Sequence, residues 1–113
     1  MRWFLRSKIH KANVTEADLY YVGSITIDED LLDKSGITVY ERVLVTSITS
    51  GSRLETYVIP GERGSGKIGL NGAAAHLIKE GEEIIIMGFE LTDKPIKPTI
   101  IILNKKNKID RYL

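Results

Sequence analysis

The sequence predicts a mainly β domain, a closed barrel carrying short helices. Three observations point there. Apolar residues fall in short β-branched runs, "ITID", "TVYERVLVTSIT", "LETYVI", "EEIIIMGFEL" and "PTIIIL", and Val, Ile, Thr and Tyr suit a pleated, half-buried surface. Helical patterning is confined to two short segments, too brief to stand without docking on a sheet. Closing so many short strands on one another removes the exposed edges that invite aggregation. At 113 residues the chain makes one domain spanning 1–113, large enough to bury about 65% of the surface its unfolded form exposes.

In chain order, the first anomaly is "LYYVGSITIDED" at 19–30, where Gly23-Ser24 interrupts what otherwise reads as extended chain. Turn composition accounts for the other pairs, Gly51-Ser52 and Gly64-Ser65, but not for this one. Asp28 is placed to cap a helix over "EDLLDKS", and Gly36 to end it in a left-handed conformation. "LVTSITSGSRLETYVI" at 44–59 reads as two strands joined by a turn at Thr49–Ser52. Asn71-Gly72 opens a second helical piece over "AAAHLIKE", stopped by Gly81. The apolar strand after Pro98 belongs inside the barrel or against another subunit, because exposed it would aggregate. "NKKNKIDR" reads as a solvated tail or edge.

Composition excludes several classes of function. Sixteen Lys and Arg stand against fifteen Asp and Glu, so there is no basic excess to hold nucleic acid. With no cysteine, disulfides, thiolate nucleophiles and zinc–sulfur sites are impossible. The two histidines, His10 and His76, form no HExxH, and "DEDLLD" lacks the alternating ligands of a calcium loop; no metal is expected. "GERGSGK" at 61–67 fails the phosphate-loop pattern and reads as a surface turn, and no GxSxG elbow occurs. No run approaches the ~20 apolar residues of a membrane span, and "MRWFLRSKIHK" lacks a secretion signal's apolar centre and cleavage site. A cytoplasmic protein without membrane attachment is expected.

Some polar residues stand in otherwise apolar settings. On a strand, Lys8 and His10 share a face. Arg53, Glu55 and Tyr57 share another, with Leu54, Thr56 and Val58 opposite. "NGAAAH" at 71–76 offers small side chains that let a ligand approach the backbone. Singly, each has a plain structural explanation: a solvated Lys or Arg, a satisfied histidine, a packed tyrosine, a loop-to-helix junction.

Their combination is more specific. "SKIHKANVT" (7–15), "YVGSITID" (21–28), "RLETY" (53–57) and "NGAAAH" (71–76) occur in the order and approximate spacing of one family. From residue 3 to about 103 the chain resembles the pyruvoyl-dependent aspartate 1-decarboxylases (aspartate alpha-decarboxylases). The resemblance implies a six-stranded double-psi β-barrel with short helices, a homotetramer with active sites between adjacent subunits, and decarboxylation of L-aspartate to β-alanine for pantothenate synthesis. It also implies self-cleavage between Gly23 and Ser24, giving a β chain of 1–23 and an α chain of 24–113. The Ser24 hydroxyl attacks the Gly23 carbonyl, with Thr56 supporting the oxyanion, and Gly23, lacking a Cβ, tolerates a strained approach. Elimination and loss of ammonia then leave a pyruvoyl group at position 24. Decarboxylating an amino acid needs an electron sink that no ordinary side chain supplies; here the pyruvoyl ketone forms a Schiff base with the substrate amine, replacing pyridoxal phosphate.

By the same resemblance, Lys8 and Arg53 recognise substrate carboxylate, Arg53 in bidentate fashion. Tyr57 donates the proton, Asn71 orients the reacting system, and the backbone at Gly72, Ala73 and Ala74 shapes the pocket. His10 and Tyr21 organise the junction or line the site. The family often carries an aromatic residue followed by Asn where this chain has Thr46-Ser47, which bears on pocket shape. Two alternatives remain from sequence: a poorly processed or altered-specificity homologue, and a non-catalytic β-barrel interaction or regulatory domain.

Overall fold

Strand β1 (Arg2–Asn13) shows how the sheet is made. It lies between β7 (Glu83–Thr92), antiparallel, and β8 (Thr99–Leu103), parallel, and sends Ile9 and Ala12 into the interior. In the computed structural model, which describes residues 1–113, nine strands form one sheet. The others are β2 (Glu16–Asp18), β3 (Ser24–Asp28), β4 (Arg42–Ser47), β5 (Arg53–Gly61), β6 (Ile68–Asn71) and β9 (Ile109–Tyr112). Their order is β2-β6-β3-β5-β4-β7-β1-β8-β9.

The sheet curls around a single core. Ile25 and Ile27 of β3, Val45 of β4, Leu70 of β6 and Ile86 of β7 are all 0% exposed and belong with Ile9 to one apolar cluster. Each such side chain is worth about 1.5–3 kcal/mol on burial. The segment after β1 draws distant strands together: Val14 N–H donates to Glu82 O (2.9 Å) and Thr15 N–H to Ile68 O (2.8 Å). Parallel pairs β1–β8, β3–β5 and β2–β6 are set among otherwise antiparallel neighbours. No helix is long and apolar enough to cross a membrane.

The hairpin expected over 44–59 is present, with Val45 opposite Leu54 and Thr46 opposite Arg53. Helix α1 (Glu29–Ser35) has the expected ends: Asp28 accepts from Asp30 N–H (2.8 Å), and Gly36 closes it at φ +80°. Two readings need correction. The helix expected over "AAAHLIKE" is a single turn, α2 (Ala74–Leu77), because Ala73 offers no capping side chain and Ile78 is already extended. Leu19–Val22 is not extended strand but an exposed turn. Of the tail or edge expected at "NKKNKIDR", the structure has the edge: strand β9 begins within it and is anchored by buried Asn107. That side chain accepts from Asn13 N–H and donates to Asn13 O and Gly66 O, all at 2.8 Å.

Asp28 organises the loop at 61–67. Its fully buried carboxylate accepts from Gly64 N–H (2.9 Å) and Gly66 N–H (2.8 Å) as well as from Asp30. Burial opposes the charge, but the backbone donors at Gly66, Asp30 and Gly64, helped by Lys108, outweigh it and hold the pKa below its ordinary value. The stabilisation is therefore present above the unfolded carboxylate's pKa and is lost as pH falls through the depressed folded value. Asp28→Ala should cost about 2–4 kcal/mol. Asp28→Asn should flatten the acid side of the stability profile, read from thermal unfolding midpoints across acidic pH. An unchanged midpoint for the alanine variant would refute this anchoring role.

Candidate active site at the Gly23-Ser24 junction

The end of β6 is gripped from both sides. Asp18, closing β2, pairs with Asn71 in parallel, and Ser24, opening β3, pairs with it antiparallel. The chain between them must reverse over the Asn71-Gly72 corner, exposing Leu19, Tyr20, Tyr21 and Val22. Gly72 N–H donates to Asp18 O (2.7 Å) and Tyr20 N–H to Asp18 Oδ1 (3.0 Å), fixing the start of the reversal. Its end drops at once from exposed Gly23 to Ser24, which is 0% exposed.

Ser24 Oγ is held on two sides. It donates to Val22 O (3.0 Å) and accepts from Asn71 Nδ2 (2.9 Å). Asn71 Nδ2 also donates to Thr26 Oγ1 (2.9 Å). No ionisable side chain is among these partners, so the hydroxyl is oriented but not deprotonated in the resting chain. Beside it lies a cavity of about 270 Å³ whose lining includes Gly23, Ser24, Thr56, Asn71, Ala73 and Ala74. Thr56 reaches it through strand register: Ile25 pairs with Val58, which brings Thr56, two residues earlier, level with Gly23.

The steric demand sits one strand away from its expected place. A Cβ on Gly23 would meet nothing nearer than Asn71 O at 3.9 Å, and the residue has no positive φ. Gly72, in contrast, has φ +68°, and a Cβ there would stand 2.7 Å from Gly23 Cα, 2.9 Å from Gly23 N and 3.0 Å from Tyr21 O. Gly72 is the residue that lets the junction pack so closely.

The remaining expected residues lie elsewhere in the chain. Lys8 pairs with Met87, Met87 with Leu44, and Leu44 with Glu55; in the next row Thr46 pairs with both Ile85 and Arg53. Paired residues project to one side, opposite to buried Ile9, Val43, Val45 and Ile86. Lys8, His10, Arg53 and Tyr57 therefore occupy the outer face of β1-β7-β4-β5, and none lines the Ser24 cavity. Tyr57 packs against Tyr40, ring centroids 6.3 Å apart. His10 keeps a buried Nδ1 with no hydrogen-bond partner, and burial followed by nearby Lys8 lowers its pKa. Tyr21 lines a separate cleft with Thr26 and Asn71. A larger cleft of about 490 Å³, bordered by Trp3, Glu41, Arg42, Leu44, Glu55 and Phe89, contains no hydroxyl or thiol.

Thr46 and Ser47 divide between the two faces. Thr46 stands beside Arg53 on the outside. Ser47 is buried and donates to Glu82 Oε1 (2.6 Å), while Lys79 N–H donates to Glu82 Oε2 (2.7 Å). The Ser47 bond, against the cost of burial, keeps the Glu82 pKa low. Thr26 and the Asp18 carbonyl were not singled out from sequence. The signal for Thr26 lay in "SITID", whose polar residues Ser24, Thr26 and Asp28 share one face of the strand.

Known proteins match the chain as a whole. The protein family described as aspartate decarboxylase matches residues 1–110. The aspartate 1-decarboxylase of Bacillus pumilus is 52% identical over 116 aligned positions, covering 99% of this chain and 91% of that protein. That of Thermotoga petrophila is 51% identical over 106 positions, covering 94% and 93%. The crystal structure of a rationally designed double-psi β-barrel, mkDPBB_sym_86, matches with a TM-score of 0.54 at 18% identity, over 72% of this chain and 95% of that one. The fold is thus mainly β with short helices, as the sequence predicts, and a double-psi barrel, as the family resemblance implies. Matched almost from end to end, the chain belongs to the aspartate decarboxylase family.

Proposed function

We propose that the chain cleaves itself between Gly23 and Ser24 and then converts L-aspartate to β-alanine and carbon dioxide, in the cytoplasm, supplying pantothenate synthesis. The observation that carries this reading is the buried Ser24 hydroxyl, oriented by Asn71 and Val22 at the foot of an exposed turn and open to a small cavity. In self-cleavage Oγ bonds to the Gly23 carbonyl carbon and the peptide C–N bond breaks. The hydroxyl proton passes to the Ser24 nitrogen, leaving an ester. Thr56, level with Gly23, is the donor for the oxyanion. Loss of a proton from Cα of residue 24 then breaks the Cβ–Oγ bond and frees the Gly23 carboxylate. Hydrolysis with release of ammonia leaves the pyruvoyl group.

The residues around position 24 fit that group. Its methyl and ketone need no more room than the serine side chain, the Asn71 amide stays beside the position that Oγ vacates, and the adjoining cavity opens between small residues (Gly23, Ala73, Ala74) and the longer Leu54, Glu55 and Leu77. The group supplies an electrophilic ketone that accepts the electrons left when carbon dioxide departs. Neither pyridoxal phosphate nor a metal is needed for that role.

Substrate recognition comes from the outer face of an adjacent subunit in a homotetramer. Lys8 and His10 on β1 and Arg53 on β5 share such a face, away from their own Ser24, and exposed Trp3, Phe89 and Leu91 accord with its being covered. Arg53 grips the carboxylate that is retained, Lys8 adds positive charge, and apolar surroundings favour departure of the other as neutral carbon dioxide. Tyr57 Oη delivers a proton to the substrate Cα. His10 and Tyr21 help close the site.

Intact mass tests the reading directly: purified protein should separate into chains of 1–23 and 24–113, the larger carrying a ketone in place of its N-terminal amine. Ser24→Ala should remain whole and inactive, and persistent full-length wild-type chain after prolonged warming would sink the proposal. Gly72→Ala should slow cleavage by at least about tenfold, since a Cβ there displaces Gly23 and the positive φ is itself strained. Gly23→Ala should be the milder change, and the reverse order would overturn this steric assignment. Tyr57→Phe should mature normally yet lose about 10²–10⁴-fold in turnover, measured as β-alanine formed by fully processed protein; wild-type turnover would remove Tyr57 as proton donor.

A further inference from the structure

Asn71 faces two hydroxyls with one amide group. Its Nδ2 donates to Ser24 Oγ and to Thr26 Oγ1, both at 2.9 Å. With both N–H bonds engaged, the amide presents a donor to Ser24, and the Ser24 proton is directed to Val22 O. Thr26 is 7% exposed and sits in the middle of β3, between Ile59 of β5 and Gly69 of β6.

The Thr26 side chain has little freedom of its own. A Cβ built on Gly61 would stand 3.1 Å from Thr26 Cγ2, and one on Gly69 would stand 3.7 Å from Thr26 Cβ. The methyl therefore occupies space that the missing side chain of Gly61 leaves open, whereas Gly69 makes only ordinary contact with the Thr26 Cβ, and a β-branched residue is stiff about χ1. With the methyl seated against Gly61, the hydroxyl faces Asn71. Gly61, Thr26, Asn71 and Ser24 form a buried series in which each fixes the next.

We propose that Thr26 is a positioning residue for self-cleavage. It acts through Asn71, holding the amide so that an N–H, not the carbonyl, meets Ser24 Oγ. That donor keeps Oγ beside the Gly23 carbonyl carbon as the Oγ–C bond forms, the 23–24 C–N bond breaks and the proton passes to the Ser24 nitrogen. Without the Thr26 hydroxyl one buried N–H loses its acceptor, and the amide turns to recover a partner at the expense of Ser24. The inference rests on the self-cleavage proposed above.

The test follows cleavage in time, by intact mass, after cell-free synthesis of the full chain. Thr26→Val keeps the packing and removes the hydroxyl; cleavage should slow about tenfold, the equivalent of one lost buried hydrogen bond. Thr26→Ser should restore the rate to within about twofold. Thr26→Ala, which cannot crowd the core, should be at least as slow as Thr26→Val and substitutes for it if the valine variant does not fold. In an Asn71→Ala background, Thr26→Val should add no further slowing, a non-additivity that a general loss of stability would not produce. Wild-type cleavage by Thr26→Val, no rescue by Thr26→Ser, or equal slowing in both backgrounds would each overturn the positioning role. A wild-type chain that never cleaves would overturn self-cleavage and this inference together, whereas a cleaving wild type with an unaffected Thr26→Val would reject only the latter.

Discussion

Pairing of Asn71 with Asp18 on one side and Ser24 on the other is the constraint from which the junction geometry follows. Strand β6 ends there, so the intervening chain has no strand to join and must arch over the corner. Backbone bonds hold both feet of the arch, which leaves Leu19–Val22 exposed while Ser24 is wholly buried. A Cβ on Gly72 would strike Gly23, so the arch can close this tightly only over a glycine. The peptide bond at 23–24 thus lies where solvent-exposed, locally adjustable chain meets a rigid strand. Such a position gives a hydroxyl a fixed approach while allowing the acyl group to move.

Strand β3, like its neighbour β6, is buried along both faces. Ile25 and Ile27 enter the apolar cluster, and the opposite face carries Ser24, Thr26 and Asp28. A buried polar stripe is tolerable only when satisfied, and each member is: two through Asn71, the third through the backbone of Gly64 and Gly66. The same stripe therefore anchors the 61–67 loop at one end and aims Ser24 at the other. Cutting the chain after Gly23 need not release residues 1–23, because β1 lies between β7 and β8 and β2 remains on β6. In the proposed maturation, most of the free energy of folding stays in contacts that the cleavage does not touch.

Much of this was legible in the sequence because it is local. The caps of α1 lie within a few residues of the helix, and the 44–59 hairpin is set by two alternating runs and a Gly-Ser turn. The Lys8–His10 and Arg53–Tyr57 faces follow from the period of a strand. What failed or stayed open depended on remote partners. "AAAHLIKE" has helical composition, yet Asn71, the nearest polar side chain before it, is engaged by Ser24 and Thr26 and does not cap it. "KIDRY" has too little apolar character to declare itself, and becomes a strand by pairing with β8 and through Asn107. The site was named residue by residue through family resemblance, but its division between a Ser24 cavity and an outer face depends on register across β1, β7, β4 and β5.

That division also sorts the local departure at Thr46-Ser47. Neighbouring residues on a strand project to opposite faces, so the two positions answer to different demands. Ser47 points inward to the buried Glu82 carboxylate, which also receives Lys79 N–H, and so ties the 47–52 turn to the start of β7. Replacing it changes the scaffold, because the carboxylate would lose a donor that offsets its burial. Thr46 projects outward in the same row as Arg53, where the proposed tetramer would place substrate carboxylate. A small hydroxyl there, in place of an aromatic ring, leaves Arg53 less closely walled and more able to keep water. In the proposed site that difference would leave the chemistry at position 24 untouched and would change the desolvation of the guanidinium, and through it the strength with which a carboxylate is held.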